Sequence, residues 1–347
     1  MRIAVTARNQ AHAFDAGPGE KILDAGLRAR IALPYECGSG TCGTCRAQLV
    51  AGDIEDPWPE APARLRLKSE LREFLMCQCT ALTDCTVDVP SKVEGMADGA
   101  CVPGHFTGSV RDCRPLTHDV VRIDVDVDPP LHFEAGQFVL IGVDGIAGRR
   151  AYSMVNYDRP ASRLRFVVKK KPGGRVSGWL FTGDVIGAAL SVFGPLGGAF
   201  FTPDLGKSIV CIAGGSGIAG LMSILERACA ERHFDHYRGH VFFGVRGVRD
   251  LFFLDELATR VAHAPEAMEV TLALSEDAVP ETLRVRHPEF VWDTGLVHDV
   301  AARRMTGKWS GVRAYLAGPP PMVDASIRVL LKEARLTPAD IRYDKFS

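Results

Sequence analysis

The amino-acid sequence predicts a multidomain protein that combines α+β and α/β units, and three observations support this. A glycine-rich loop with three cysteines, residues 34–46, lies among short strands and one helix near the N-terminus. Short alternating apolar runs separated by turn residues follow, which is typical of an antiparallel β-barrel. After residue 206, buried apolar strands alternate with helices, and this predicts a doubly wound parallel sheet.

Length and composition exclude several classes of protein. With 347 residues the chain is long enough for two or three domains, and a hydrophobic fraction of 46% supports several cores. The formal net charge of −1, without a basic run, gives no reason to expect a nucleic-acid partner. Apolar runs such as 209–213 are too short to span a bilayer, so we expect no membrane partner.

The N-terminus and the cysteines predict a cytoplasmic protein. Residues 1–6 alternate like a strand and lack the apolar core of a signal peptide. Ten cysteines without an export signal argue for a reducing compartment, in which thiols are available to bind metal.

The first unit is expected over residues 1–92, as a small mixed sheet crossed by one helix, which is a β-grasp arrangement. Its strands are predicted at 3–6, 12–14, 47–50 and 86–89, and its helix at 22–27.

Three cysteines in the loop of this unit, Cys37, Cys42 and Cys45, have the spacing C-x4-C-x2-C. That spacing is typical of a plant-type [2Fe–2S] site, whose fourth cysteine lies further along the chain. Glycines suit such a loop because its backbone must approach the cluster closely and direct N–H groups at sulfur. Cys77 and Cys79 both stand where the fourth ligand is expected.

A purely structural role or a zinc site suits these cysteines less well than a cluster. Three unrelated core cysteines would rarely fall within nine residues of a glycine-rich loop, and a zinc site would need two C-x2-C pairs where only one is present. The sequence therefore predicts an iron–sulfur cluster.

A second unit is expected over residues 100–205, after a linker at 91–99 that has no clear periodicity. Its alternating runs, which predict the barrel, are 106–110, 120–127, 137–143 and 164–169. Two motifs lie within it. One is Arg150-Ala151-Tyr152-Ser153, and the other is Gly173-Gly174-Arg175-Val176-Ser177, which opens a helix whose first N–H groups can hold an anion.

The third unit is expected over residues 206–347. A buried strand at 208–213 runs into Gly214-Gly215-Ser216-Gly217, and a helix at 221–230 and a strand at 241–245 follow. Glycines at a strand-to-helix turn allow a pyrophosphate to reach the helix N-terminus. The acidic residue that usually ends the second strand is missing, because Arg246 follows Val245. Asp250 could instead receive the ribose hydroxyls, but its interpretation as a solvated acid of the following turn is preferred.

Over essentially its whole length the chain resembles the reductase components of bacterial multicomponent oxygenases. Residues 1–92 resemble plant-type ferredoxins, and the motif Arg150–Ser153 resembles the flavin-binding signature of the ferredoxin–NAD(P) reductase family. The resemblance implies a ferredoxin domain, a β-barrel FAD domain and an α/β NAD domain. It also implies a [2Fe–2S] cluster, FAD and NADH as cofactors, with NADPH less favoured.

The same resemblance implies roles for single residues. Arg150 would pair with the flavin pyrophosphate, Tyr152 would lie against the isoalloxazine, and the Ser153 hydroxyl would reach its N5 edge. Phe346 would cover the outer flavin face on a mobile tail. Further cofactor contacts are implied at Val167, Lys169, Gly174, Val176, Ser177, Gly214, Gly215, Ser216, Gly217, Arg246, Gly318 and Pro319.

The resemblance also bears on the fourth ligand and on catalysis. The fourth cysteine of the family follows a short apolar run, as Cys77 follows residues 74–76, so Cys77 is preferred to Cys79 as the ligand. Cys79 and Cys85 are interpreted as small buried side chains. Many relatives carry cysteine where this chain has Ala317, and no acid–base catalytic residue is implied.

The implied function is an NADH-dependent reductase that passes single electrons to a terminal oxygenase, either a Rieske dioxygenase or a di-iron monooxygenase, acting on an aromatic or hydrocarbon substrate. An oxygenase component or an intermediate ferredoxin would dock on an exposed rim of the loop, with Glu36, Ser39, Thr41 and Arg46 at its edges. Two alternatives are a deoxysugar (glucoseen) reductase with the same domain order and a redox sensor.

Overall fold

A computed structural model describes residues 1–346, in which three large β-sheets follow one another along the chain. The first sheet has five strands, and each of the other two has six. This succession confirms the predicted fold class. Ser347, the end of the predicted tail, lies outside the described residues. No helix within residues 1–346 is long and apolar enough to cross a membrane.

The first sheet is mixed, with the order β2-β1-β7-β3-β5, and packs against one helix. Alternation places Ile3 and Val5 of β1 in the core, where α1 covers them with Ile22, Leu23 and Leu27. The elements are β1 (Arg2–Ala7), β2 (Ala11–Asp15), α1 (Ile22–Arg28), β3 (Arg46–Ala51), β4 (Ile54–Glu55), β5 (Glu73–Leu75), β6 (Thr80–Ala81) and β7 (Cys85–Val89), of which β4 and β6 form a separate pair.

The predicted linker, residues 91–99, is docked on the first unit and is not a free connection. Val93 is fully buried, the Ala32 N–H donates to Glu94 O at 2.8 Å, and the Met96 N–H donates to Arg30 O at 2.8 Å. These irregular contacts are the reason that the segment has no periodicity in its sequence.

The second sheet is antiparallel throughout, with the order β11-β10-β13-β8-β9-β12. The Val155 N–H, two residues after β11, donates to Arg165 O of β12 at 2.8 Å, which draws the end strands of the barrel together. The elements are β8 (Gly104–Pro115), β9 (Val120–Leu131), β10 (Phe138–Val143), β11 (Arg150–Ser153), β12 (Ala161–Lys169), α2 (Arg175–Leu180) and β13 (Ala189–Leu196).

The third sheet is parallel throughout, with the order β17-β16-β15-β14-β18-β19. The chain turns from one side of the sheet to the other between β14 and β18, and this is where ligands bind in doubly wound folds. The elements are β14 (Ser208–Gly214), α3 (Ile218–Ala230), β15 (Gly239–Val245), α4 (Leu254–His263), β16 (Met268–Leu274), α5 (Glu281–Arg286), β17 (Val291–Thr294), α6 (Val297–Arg304), β18 (Val312–Gly318), α7 (Pro320–Lys332) and β19 (Ile341–Lys345).

A buried ion pair joins the first unit to the barrel. Asp24 of α1 is fully buried, and the Arg149 guanidinium donates to its two carboxylate oxygens at 2.6 and 2.9 Å. The Arg149 guanidinium also lies 5.4 Å from the ring centre of Phe193 on β13. A bidentate pair of this kind fixes orientation as well as distance, so it sets how the first unit sits on the barrel.

Arg149→Met should lower the free energy of unfolding by about 3–5 kcal/mol, because Asp24 would remain buried without a partner charge. The double variant Asp24→Leu/Arg149→Met should recover much of that loss. Urea unfolding followed by circular dichroism measures both, with Arg163→Met, which breaks an exposed pair with Asp126, as a nearly neutral control. Equal transitions for Arg149→Met and the control would contradict the assigned role.

Candidate functional site

The cysteine loop connects α1 to β3 and is shaped by glycines in left-handed conformations. Gly38, Gly40 and Gly43 have φ values of 62°, 81° and 83°, which residues with a Cβ rarely adopt. The turns direct backbone N–H groups at sulfur, and the Cys42 N–H lies 3.4 Å from Cys37 Sγ. The local sequence therefore builds the close backbone approach that a cluster needs.

The fourth sulfur near the loop belongs to Cys77. Its Sγ lies 3.1 Å from Cys45 Sγ, and the Gln78 side-chain amide donates to it at 3.3 Å. Cys79 is buried in the core of the same unit, where burial raises the pKa of its thiol to about 12. The structure therefore brings Cys77 to the loop sulfurs.

The four thiols are grouped as two hydrogen-bonded pairs. The pKa of Cys37 is lowered to about 4, chiefly by a hydrogen bond from the Cys42 thiol and also by the Thr41 hydroxyl. The pKa of Cys45 is raised by its hydrogen bond with Cys77 and by burial. Metal binding replaces such protons, and two pairs of cysteine sulfurs are the donor set of a [2Fe–2S] cluster.

One half of the loop packs against the barrel. A Cβ added at Gly38 would lie 3.2 Å from Leu140 Cδ1 and 3.6 Å from Leu196 Cδ1. The Gly197 N–H donates to the Tyr35 hydroxyl at 3.0 Å. We call this side, residues 35–40, the inner face of the loop.

The prediction that the rim of the loop is exposed is wrong for the residues of the inner face. Ser39 is only 4% exposed, and Glu36 is half-buried, with one carboxylate oxygen buried and unpaired within residues 1–346. Thr41, Cys42 and Arg46 are partly exposed. The accessible side is therefore the second half of the loop, residues 41–46, which we call the outer face.

The end of β19 reaches both the cysteine loop and the third sheet. The pKa of Asp344 is raised to about 7, first by removal from water and then by the neighbouring carboxylate of Glu36. The Phe346 N–H donates to Gly318 O at 3.0 Å, and the partly buried Phe346 packs against a core cluster shared by the barrel and the third unit.

The barrel motif lies on β11. Ser153 is buried, and its hydroxyl has no hydrogen-bond partner among the described residues, so it is free to donate to a ligand. Tyr152 lies 6.4 Å from Phe166 between ring centres, and burial raises its pKa to about 12. The Arg150 guanidinium stacks 4.7 Å from the Trp58 ring centre. This set fits a flavin with its pyrophosphate.

The second phosphate turn is held by its own serine. The Ser177 hydroxyl accepts from the Lys171 N–H at 3.1 Å and donates to Gly174 O at 3.3 Å. Val176 is buried beneath it. These hydrogen bonds fix the shape of the turn that precedes α2.

Charged residues of the second and third units meet beside β12. Lys169 Nζ lies 3.1 Å from Asp119, and Arg246 lies 3.9 Å from Asp119 and 3.6 Å from Asp250. Asp250 is only 6% exposed, so its interpretation as a solvated acid is wrong. Val167, by contrast, is a buried residue of β12.

Gly214 ends β14, and Gly215, Ser216 and Gly217 form the turn that follows it. A Cβ on Gly217 would lie 2.1 Å from Ala317 O, so only glycine allows this turn to approach the end of β18. Gly318 has a φ of 151°, and Pro319 directly precedes α7. The two turns form a backbone cradle that fits a dinucleotide.

Several contributing residues are missed by sequence reasoning. Asp24, Trp58 and Asp344 come from elements distant along the chain from the residues that they contact. Of these three residues, Asp24 alone has a feature in the sequence that could have identified it, because it is an acidic residue on the otherwise apolar face of α1.

Three protein-family descriptions match the chain, each over one sheet. They are the 2Fe-2S iron–sulfur cluster binding domain over residues 5–82, the oxidoreductase FAD-binding domain over 108–201 and the oxidoreductase NAD-binding domain over 211–327. The predicted cofactors, a [2Fe–2S] cluster, FAD and NAD(H), are thereby confirmed.

The similarity to known proteins extends over nearly the whole chain. Ferredoxin–NAD(P)(+) reductase CarAd of Metapseudomonas resinovorans is 34% identical, with 95% of each chain covered. The ferredoxin–NAD(+) reductase component of the alkene monooxygenase system of Xanthobacter autotrophicus is 32% identical, with 97% of this chain and 99% of that protein covered. The solved ferredoxin reductase in carbazole 1,9a-dioxygenase has a TM-score of 0.82 at 31% identity and covers 100% of this chain and 99% of that one.

Cys77→Ser should abolish or strongly reduce cluster incorporation, because it removes the sulfur nearest Cys45. Cys79→Ser is the matched control and should retain iron and the visible cluster absorption at nearly the wild-type level. Iron content and electron paramagnetic resonance of the reduced protein measure the difference. Loss of the cluster in Cys79→Ser alone would contradict the placement of Cys77.

Proposed function

Because this chain belongs to the family of ferredoxin–NAD(P)(+) reductases that join a 2Fe-2S domain to FAD- and NAD-binding domains, we propose that it delivers electrons from NADH to a terminal oxygenase component. The chain is an NAD(H)-dependent iron–sulfur flavoprotein oxidoreductase. Relatives named as reductase components of alkene and phenol monooxygenase systems support an oxygenase, or an intermediate ferredoxin, as the electron acceptor.

The observation that carries the proposal is the contact of the inner face of the loop with the barrel. At Gly38 the backbone approaches Leu140 and Leu196 with no side chain between them. When bound, FAD accepts the two electrons of a hydride and releases them singly, which links a nicotinamide to a one-electron cluster. The chain's part is to fix the distance through packing and the ion pair of Asp24 with Arg149.

The proposed flavin contacts lie on the barrel. Arg150 holds the pyrophosphate, and its buried position lowers its pKa without removing its charge. Tyr152 supports the ring, and the Ser153 hydroxyl donates to the ring edge. Gly174 and Ser177 complete the phosphate site.

The proposed nicotinamide contacts lie on the cradle of residues 214–217 with Gly318 and Pro319. Phe346, whose N–H donates to Gly318 O, is the proposed cover of the outer flavin face. Arg246 faces the adenosine end. Two carboxylates, Asp119 and Asp250, lie near the Arg246 guanidinium, so a 2′-phosphate would meet negative charge there and NADH is favoured.

The proposed cluster ligands are Cys37, Cys42, Cys45 and Cys77, and the proposed domain bounds are 1–92, 100–205 and 206–347. A cytoplasmic location is supported by the cysteines, since none of the ten forms a disulfide within residues 1–346.

The purified protein should reduce ferricyanide and cytochrome c with NADH, and more slowly with NADPH. Cys42→Ser should lose most cytochrome c reduction while ferricyanide reduction persists, because the small acceptor can take electrons before the cluster. Cys113→Ser, on β8 of the barrel, is the control and should retain both activities. If Cys42→Ser loses its cluster yet reduces cytochrome c normally, the proposed order of electron flow is wrong.

A further inference from the structure

A short turn that sequence reasoning does not single out packs against the loop, at Gly40 of the inner face and at Cys42 and Gly43 of the outer face. We call residues 62–72 the leucine turn. The Ala63 N–H donates to Gly40 O at 3.0 Å, and the Arg66 guanidinium donates to Cys42 O at 3.0 Å. Ala63 is fully buried, so the leucine turn is anchored directly on the loop.

Leu65 stands at the tip of the leucine turn with 95% of its surface exposed, and Leu71 is 42% exposed. Single exposed leucines are ordinary on protein surfaces. This one is distinguished by its position between Ala63 and Arg66, which bond to Gly40 O and Cys42 O of the loop.

The leucine turn is also basic, although the chain as a whole has a net charge of −1. It contains four basic residues and one acidic residue, namely Arg64, Arg66, Lys68, Arg72 and Glu70. Arg64 forms an ion pair with Asp56. Over the part of the chain that is described, Arg66, Lys68 and Arg72 have no carboxylate partner, so their charge remains available.

The inner face of the loop is covered by the barrel, so an electron acceptor approaches the cluster site from the outer face. Cys42 is the most exposed of the four proposed ligands, since Cys37, Cys45 and Cys77 are 9%, 1% and 1% exposed. An acceptor seated over Cys42 necessarily meets the leucine turn.

We propose that the leucine turn is the docking surface for an acidic electron-acceptor protein. Leu65 supplies an apolar contact, and Lys68, Arg72 and Arg66 attract carboxylates around it. This inference rests on the proposed function, in which the reduced cluster passes one electron to the metal centre of the acceptor protein. The cluster is oxidised by one electron, the acceptor is reduced by one electron, and no bond forms or breaks.

The test compares two protein probes, the acidic carrier cytochrome b5 and the basic carrier cytochrome c, with ferricyanide as the small acceptor. The ratio of the NADH-driven rate of cytochrome b5 reduction to that of ferricyanide reduction should fall about tenfold in Lys68→Glu. The substitution replaces electrostatic attraction of the acidic cytochrome b5 by repulsion at this position. Leu65→Ser should raise the dissociation constant for cytochrome b5, measured by titration calorimetry. Lys332→Glu and Val285→Ser, which are exposed on the third unit, are the matched controls and should change neither value.

The possible results distinguish the proposed docking surface from the proposed function. Cytochrome b5 reduction that weakens with added salt and with both leucine-turn variants supports the docking surface. Unchanged ratios and dissociation constants, a wild-type preference for cytochrome c at low salt, or tighter binding to phosphatidylglycerol vesicles than to cytochrome b5 would overturn it. Wild-type protein that reduces none of the three acceptors would instead refute the proposed function.

Discussion

The architecture depends on the contact at Gly38, where the cysteine loop meets the barrel without a side chain. The left-handed backbone and the missing side chain at Gly38 let Leu140 and Leu196 of the barrel pack close to the loop. The rate of electron transfer falls steeply with distance. The contact therefore matters because it fixes how far the cysteine loop lies from the barrel. The ion pair of Asp24 with Arg149 and the Tyr35 hydroxyl hold the same contact from two sides.

This constraint gives the loop a buried inner face and a partly exposed outer face. The inner face is buried against the barrel and the end of β19, which is the reason that Ser39 and Glu36 are withdrawn from solvent. The outer face retains the exposed part of Cys42 and lies under a basic turn with an exposed leucine. Under the proposed function, electrons would enter the loop through its inner face and leave through its outer face.

Local patterns made much of this predictable from the sequence. Cysteine spacing, strand alternation and the glycines after β14 are each encoded within a few residues, so the three units and most candidate positions follow from them. Contacts between units are not encoded in that way. The burial of Ser39, the docking of residues 91–99 and the burial of Asp250 depend on residues far along the chain, and no local period reports them.

The central claim, that electrons enter the loop through its inner face, is tested most directly by rapid mixing of Gly38→Ala with NADH. The added methyl group would crowd Leu140 and strain the left-handed backbone, and we expect this to shift the loop relative to the barrel. We expect flavin reduction at the wild-type rate and slower cluster reduction, whereas Gly19→Ala, also left-handed but with no neighbour within 4 Å, should leave both rates unchanged. Cluster reduction at the wild-type rate in a Gly38→Ala protein with full iron content would contradict the account.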